Sequence, residues 1–153
     1  MLKDYQDAFG HELHDYLKRE KGVREIPGVV ERDDGYISHS DTGLMEASFS
    51  KYRNWHPVEK MAMRYARGRV LDIGSGAGRH SLYLQGKGLE VLAIDNSPLA
   101  IEVCKSRGLR NAEVVPISQI SWASLIQFSC WATTLVYSVV LKVPSGCSKS
   151  SAG

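Results

Sequence analysis

Residues 70–80, Val-Leu-Asp-Ile-Gly-Ser-Gly-Ala-Gly-Arg-His, are followed by residues 91–95, Val-Leu-Ala-Ile-Asp. The first stretch predicts a buried parallel strand, a tight turn and the start of a helix, because a short apolar run ends in an acidic residue and three alternating glycines. The second predicts a strand ending on Asp95. Gly74 and Asp95 are 21 residues apart (95 − 74), close to the interval of about 20 between a nucleotide-binding glycine turn and the carboxylate that binds the ribose. The pair therefore predicts a nucleoside-binding half of a doubly wound sheet.

The glycine spacing bears on which nucleoside is bound. Gly74, Gly76 and Gly78 follow the pattern G-x-G-x-G, and Arg79 occupies the position where a dinucleotide fingerprint has its third glycine. Asp72 adds a negative charge that would repel a diphosphate but could hold a cationic amino acid group. The pattern thus favours a nucleoside that carries an amino acid over a dinucleotide.

In these motifs the chain resembles the class I S-adenosylmethionine-dependent methyltransferases, with VLDIGSGAG (70–78) as the first motif and AIDNSP (93–98) as the second. The resemblance covers about residues 52–121. It implies an α/β fold, an incomplete Rossmann-like doubly wound parallel sheet with an N-terminal helical cap. It also implies S-adenosylmethionine as the cofactor and a methyl acceptor that the sequence does not identify. A small molecule is favoured as acceptor, with protein and RNA left as alternatives.

The resemblance assigns roles to individual residues. The glycines are expected to shape the pocket floor, and Asp95 to accept hydrogen bonds from both ribose hydroxyls. Ile117 and Ser118 resemble residues that flank the adenine. The residues expected to bind the cofactor are Asp72, Gly74, Ser75, Gly76, Gly78, Arg79, Asp95, Asn96, Ser97, Ile117 and Ser118.

Three aromatic residues of the N-terminal cap, Tyr36, Tyr52 and Trp55, are candidates for contacts with the methyl acceptor. Tyr52 and Trp55 are equally good candidates for core anchors. We assign no catalytic residue, because methyl transfer from a sulfonium depends on alignment and desolvation more than on acid or base chemistry.

Two alternatives keep the same fold class. One is a nicotinamide-dinucleotide-binding oxidoreductase fragment, which Asp72 and Arg79 disfavour. The other is a non-catalytic nucleotide-binding or interaction module that keeps only the half-fold. Turnover would exclude the second, and binding of a nicotinamide cofactor would support the first.

The composition is that of a globular chain: 153 residues, 43% hydrophobic and 24% charged, with 19 basic and 17 acidic residues. It shows no strong nucleic-acid signal, because no basic stripe interleaves with aromatic residues. No run predicts a membrane span or a signal peptide. Cys104, Cys130 and Cys147 lack the spacing of a disulfide framework or a zinc site, so a cytoplasmic location is expected.

A metal site is not predicted either. His11, His14 and Asp15 have a possible ligand spacing on one helix, but a solvated helix face is the simpler interpretation without a third ligand elsewhere.

Periodicity and turn signals predict the order of elements. A helix is expected over residues 2–20, a hairpin around Asp34-Gly35 and a helix over 58–65. Alternating strands and helices are then expected at 69–73, 79–85, 89–95, 98–106 and 112–117. We divide the chain into a cap (1–66), a cofactor-binding half (67–121) and an atypical tail (122–153).

The tail departs from the family pattern after Ser121, where a fourth strand with an acidic start is expected. In a neighbouring reading frame, Cys130 before Trp131 fixes a leucine codon and Trp131 before Ala132 a glycine codon. The shifted tail can read DTILLLGNNFG, which is a fourth strand and polar loop of this family. We therefore hypothesise a frameshift near residues 122–125, which gives an out-of-frame tail and a truncated chain.

Such a tail would leave the central first strand without its fourth-strand neighbour, and an unpaired strand edge favours aggregation. Residues 133–143 are apolar and β-branched, so they are expected to pair there as a substitute or to aggregate. The last residues, 145–153, are expected to be disordered.

Overall fold

The structure, a computed structural model, describes residues 2–19, 29–39, 43–116, 118, 128–132 and 135–139. The expected disorder of residues 145–153 lies outside them. Five strands form the main sheet in the order β5-β4-β3-β6-β7. They are β3 (Arg69–Ile73), β4 (Glu90–Asp95), β5 (Ala112–Val114), β6 (Phe128–Ala132) and β7 (Leu135–Val139).

The strands β5, β4, β3 and β6 run parallel, and β7 runs antiparallel to β6. The predicted α/β fold with an incomplete Rossmann-like sheet is confirmed. The centre of the sheet is β3, whose residue Asp72 is paired in register with Ala93 of β4 and Ser129 of β6.

The pairing of β3 corrects one expectation. The place beside β3 where residues 133–143 were expected is taken by an earlier segment, because Leu71–Ile73 pair with Phe128–Cys130. Part of the expected substitute, Leu135–Val139, folds back on β6 as an antiparallel strand. The edge of β3 is therefore paired, and its partner is β6, which precedes the expected segment of the tail.

Two helices connect the parallel strands, α4 (Arg79–Gly86) and α5 (Pro98–Ser106). The N-cap and first-turn signals before α5 are confirmed, because Ser97 Oγ accepts a hydrogen bond from Ala100 N at 2.9 Å and Pro98 begins the helix. The strands at 69–73 and the helix at 98–106 have the predicted bounds. The expected strand at 112–117 is shorter and ends at Val114.

The described part of the N-terminal segment includes the helices α1 (Ala8–Lys18), α2 (Gly43–Phe49) and α3 (Pro57–Met63). The single helix expected over residues 2–20 is interrupted, since a short 3-10 turn precedes Asp7, which caps α1 by accepting a hydrogen bond from Gly10 N at 3.1 Å. The helix α2 was not predicted, because only seven residues give too short a pattern for helical periodicity.

The hairpin around Asp34-Gly35 is confirmed. Its strands are β1 (Val29–Glu31) and β2 (Ile37–His39), which pair antiparallel. Gly35 has a φ of 80°, the left-handed value that such a turn requires.

Two apolar clusters join the cap to the sheet. One packs α3 and the turn before it onto α4 and the strands. The other packs α1 and α2 onto α5 and onto the turn that follows β3, and its buried members are Leu13, Met45, Ala77, Ala100 and Val103. In the part of the chain that the structure describes, no helix is long and apolar enough to cross a membrane.

Candidate functional site

The strand order reverses at β3, since the chain moves to β4 on one side and reaches β6 on the other. In open α/β sheets, ligands bind in the crevice beyond the carboxyl ends of the strands at such a reversal. The carboxyl end of β3 leads into residues 74–78, here called the glycine turn, and the carboxyl end of neighbouring β4 is Asp95.

The glycine turn has a backbone that residues with side chains rarely adopt. Gly74, Gly76 and Gly78 have φ angles of 70°, 51° and 72°. The turn is fixed on β4, because Gly74 N and Ser75 N both donate to the carbonyl of Ile94, at 2.9 and 3.2 Å. No atom of the described residues lies within 4 Å of the position that a Cβ on Gly74 would take, so this part of the turn is open toward them.

Asp95 faces the glycine turn. Its Oδ2 accepts a hydrogen bond from Gly76 N at 2.9 Å, and its Oδ1 accepts one from Ser97 N at 3.0 Å. Each oxygen of an ionised carboxylate offers two lone pairs, so both can accept another hydrogen bond. The half-buried carboxylate can therefore hold two ligand hydroxyls while it stays bonded to the protein.

Asp72, in β3, is almost fully buried, with 2% of its surface exposed. Ser81 Oγ donates to its Oδ2 at 2.6 Å, while its Oδ1 has no hydrogen-bond partner among the described residues. Burial raises the pKa of Asp72 and the charge of Asp95 adds to this, whereas His80 and the Ser81 hydrogen bond oppose it. A buried carboxylate with one unsatisfied oxygen fits a cationic ligand group, which would supply the missing donor and charge.

Cys104, in α5, packs against the glycine turn. Its thiol donates to the carbonyl of Gly76 at 3.2 Å, and Ser75 Oγ is 3.8 Å from the sulfur. A side chain on Gly78 would place its Cβ 2.8 Å from the same sulfur, so this position has no room for one. Burial raises the pKa of the Cys104 thiol to about 11, so at neutral pH it is a packed thiol rather than a nucleophile. The sequence spacing gave no signal of this role.

Arg79 is directed toward the cap. Its guanidinium forms an ion pair with Glu59 of α3, donates to Ser50 Oγ at 3.2 Å and lies 5.5 Å from the centre of the Trp55 ring. The side chain therefore links α4 to the cap. The main chain of Arg79, at the start of α4 beside the glycine turn, remains the part of this residue that is a candidate for binding the cofactor. His80, beside it, contacts the same Glu59 oxygen at 3.2 Å.

Glu59 is the buried centre of this contact. Burial alone would raise its pKa, but hydrogen bonds from His80 and from the main chain of His56, with the charge of Arg79, lower it to about 2. Glu59 also completes a capping box with His56 at the start of α3. The sequence analysis did not identify it, although its place three residues after the cap was a signal.

The other residues predicted to bind the cofactor follow β4 and β5. Ser97 is buried in the turn after Asp95, and Asn96 is exposed there, with its carbonyl accepting a weak hydrogen bond from Leu2 N at 3.4 Å. Ser118 is exposed. Ile117 lies outside the described residues.

Two of the aromatic candidates are brought together, since the ring centres of Tyr52 and Trp55 lie 5.3 Å apart, but Tyr36 is not part of this contact. Trp55 is buried in the cluster that joins α3 to the sheet, and Tyr52 is stacked on Tyr83 with ring centres 4.4 Å apart, so packing explains both. Tyr36 is exposed in the hairpin beside Arg32. No group of three potential metal-ligating side chains occurs among the residues described.

The comparisons with known proteins agree with this geometry. Residues 71–139 match the family described as a methyltransferase domain. The match extends past Ser121, where the motifs had suggested that the likeness ends. None of the curated proteins compared matches the chain.

A solved structure from Bacteroides fragilis, a SAM-dependent methyltransferase in complex with S-adenosyl-L-homocysteine, is 33% identical with a TM-score of 0.58. The match covers 73% of this chain and 44% of that one, so the chain spans less than half the length of this relative. A second structure, concerned with conversion of a disulfide bond into a thioacetal group during echinomycin biosynthesis, is 28% identical with a TM-score of 0.44. It covers 50% of this chain and 36% of that one.

Proposed function

We propose, from the premise that this chain carries part of a class I S-adenosylmethionine-dependent methyltransferase domain, that it binds S-adenosylmethionine at the carboxyl ends of β3 and β4 and contributes to methyl transfer. The observation that carries the proposal is the placement of two carboxylates at the ends of neighbouring strands. Asp95 offers further lone pairs beside the glycine turn, and Asp72 has a buried oxygen that no described residue hydrogen-bonds.

Each carboxylate suits a different part of the cofactor. The Asp95 carboxylate would accept hydrogen bonds from the ribose hydroxyls, and the negative charge of Asp72 would hold the ammonium of the amino acid part. Bound S-adenosylmethionine supplies a methyl group on a positively charged sulfur, which a nucleophile can attack. Gly74, with open space at its Cβ position, allows close approach to the main chain.

The remaining predicted contacts are weaker parts of the proposal. Asn96 and Ser97 follow Asp95 and would line the adenine edge, as would Ser118. A small molecule is the favoured acceptor, and among the three candidate aromatics Tyr36 is the exposed one that could contact it. We assign no catalytic base, since positioning and exclusion of water would supply the rate.

The proposed domain limits follow the elements. The cap would end near residue 66, between the end of α3 at Met63 and the start of β3 at Arg69. The cofactor-binding half would extend to residue 121, and the atypical tail from 122. We also propose a cytoplasmic location, supported by the free, buried thiol of Cys104. Fractionation of cells that produce the protein would test this location.

Calorimetric titration of the full chain with S-adenosylmethionine and S-adenosylhomocysteine tests the function. We expect saturable binding that Asp95→Asn weakens about tenfold or more, because a hydrogen bond to a charged group contributes about 1.5–3 kcal/mol. Glu90→Gln is the matched control: Glu90 lies at the opposite end of β4, where it pairs with Arg69 at the surface.

The proposal fails if a folded chain, as judged by circular dichroism, binds neither ligand. Binding of a nicotinamide dinucleotide in preference to S-adenosylhomocysteine would point instead to the oxidoreductase alternative. Equal weakening by Asp95→Asn and Glu90→Gln would show that Asp95 has no specific role.

A further inference from the structure

We infer that Asp7, in the N-terminal segment, is a positioning residue for the ribose-binding carboxylate Asp95; this inference rests on the proposed function. Asp7 and Asp95 belong to distant parts of the sequence, and the link between them is Ser97. The affinity for the ribose would then depend on a side chain that does not touch the ribose.

Asp7 holds the starts of two helices at once. Its Oδ1 accepts from Gly10 N at 3.1 Å, which caps α1. Its Oδ2 accepts from Ser97 Oγ at 2.9 Å and from Leu99 N at 3.1 Å, at the start of α5. The positive ends of two helix dipoles meet here, and one buried carboxylate, 2% exposed, satisfies both.

Ser97 links Asp7 to Asp95 through hydrogen bonds. Its hydroxyl is fixed on both sides, because it donates to Asp7 and accepts from Ala100 N at 2.9 Å. Its main-chain N–H donates to Asp95 Oδ1 at 3.0 Å. Without Asp7, the hydroxyl and the N–H of Leu99 lose their buried acceptor, so the turn that orients the Asp95 carboxylate must rearrange or admit water.

The side chain of Asp7 is tightly packed between α1 and Ser97. A Cβ on Gly10 would lie 2.4 and 2.5 Å from the two Asp7 oxygens and 2.5 Å from Ser97 Oγ. The next residues of α1 approach the glycine turn as well, since a Cβ on Gly76 would lie 3.8 Å from the ring of Phe9. The start of α1 therefore contacts the turn after Asp95 and lies close to the glycine turn.

The experiment separates positioning from general stabilisation by measuring how much the ribose hydroxyls contribute. The full chain is titrated calorimetrically with S-adenosylhomocysteine and with its 2′-deoxy and 3′-deoxy analogues. The variant is Asp7→Ser, because serine is also a good N-cap for α1 but its short side chain does not reach Ser97 and Leu99. The control is Asp4→Asn, which removes an exposed carboxylate of the same segment that pairs with His11 at the surface.

In the wild-type chain, loss of a ribose hydroxyl should weaken binding about tenfold or more. In Asp7→Ser this penalty should shrink to a few-fold: S-adenosylhomocysteine binds more weakly, while the deoxy analogues bind nearly as in the wild type. Asp4→Asn should keep the full penalty. If Asp7→Ser does not fold, Asp7→Asn, which keeps the shape and one acceptor oxygen, should show the same reduction.

An equal loss of affinity for all three ligands would mean that Asp7 acts on stability alone, and an unchanged penalty would mean that it does not act on Asp95; either result overturns the inference. Failure of the wild-type chain to bind S-adenosylhomocysteine is a different result, because it overturns the proposed function itself.

Discussion

The main-chain N–H of Gly76 donates to Asp95 Oδ2 at 2.9 Å, so the glycine turn after β3 is hydrogen-bonded to the carboxylate that ends β4. The parallel register of the two strands, with Ile73 opposite Ile94, brings these groups to the same edge of the sheet. The backbone of the glycine turn would therefore help to fix the position of a ribose bound by Asp95.

Replacement of Asp72 by asparagine should stabilise the chain and weaken cofactor binding. A neutral amide costs less to bury than a carboxylate, so the free energy of unfolding should rise by on the order of 1 kcal/mol at pH 8. This cost of burial applies to Asp72 only when its carboxyl group is ionised. Because the pKa of Asp72 is raised in the folded chain, wild-type stability falls as pH rises above the ordinary carboxyl range, and the gain from Asp72→Asn should grow with it.

Urea unfolding at pH 5 and pH 8 checks the first part, and titration with S-adenosylmethionine checks the second. A variant that loses stability at pH 8 would contradict this interpretation of the unsatisfied Oδ1. Ser81→Ala is a useful comparison, because it removes the hydrogen bond from the Ser81 hydroxyl to Asp72 Oδ2 and should destabilise the chain.

Glu59 should make the chain sensitive to acid. Its pKa is about 2 when folded against an ordinary 4.5, so its contribution is complete above pH 4.5 and is lost as the pH falls from about 4.5 to about 2. The loss should be roughly 3 kcal/mol over that range. In Glu59→Gln, the free energy of unfolding should be lower at pH 6 and should fall less steeply toward pH 2.

Stability measured between pH 6 and pH 2 tests this, with Glu102→Gln, an exposed glutamate of α5, as the matched control. The control should follow the wild-type slope. Equal slopes in all three chains would show that the buried contacts with Arg79 and His80 do not set the acid limit.

Two glycines of the same turn should differ in their tolerance of alanine. Both Gly74 and Gly78 have φ near 70°, which costs a side-chain-bearing residue about 1–2 kcal/mol. Only at Gly78 would the new Cβ also meet Cys104 Sγ, at 2.8 Å. We expect Gly78→Ala to destabilise the chain by about 1–3 kcal/mol more than Gly74→Ala. Thermal melting compares the two, and equal melting temperatures would count against the close contact.

The nucleotide sequence tests the proposed frame of the tail. Residues Phe128, Cys130 and Trp131 all have codons that begin with T, and in the shifted frame that base becomes the middle base, which encodes apolar residues. We expect the shifted codons to read as an acidic residue, an apolar strand and a glycine. The same shift over residues 90–95 is the control and should not give a family strand. Codons that give no strand over residues 126–132 would disprove a frameshift.

The local elements of the sheet could be predicted because their signals are local. The glycines after β3, the Ser97-Pro98 start of α5 and the acid that ends β4 all act within a few residues of their own position. Even in the tail, a strand beside β3 forms over Phe128–Ala132. The sequence analysis placed the substitute strand later, since β-branched residues from 133 onward gave the stronger pattern.

Contacts between distant residues could not be predicted in this way. Asp7 has the appearance of an ordinary helix cap, and nothing near it in sequence indicates Ser97 or Leu99. Arg79 stands inside the motif, yet its side chain pairs with Glu59, twenty residues earlier. Cys104 shows no pairing pattern, and its role follows from the fold, which brings α5 beneath the glycine turn.

The bond between Asp7 and Ser97 spans 90 residues, and that between Asp7 and Leu99 spans 92. During synthesis at about 5–20 residues per second, α1 would wait roughly 5–18 s before its docking partner has been made. For that time the part of α1 that packs on α5 has no partner. During that interval this surface of α1 is accessible to chaperones and proteases, and its docking on α5 cannot begin until Leu99 has been made.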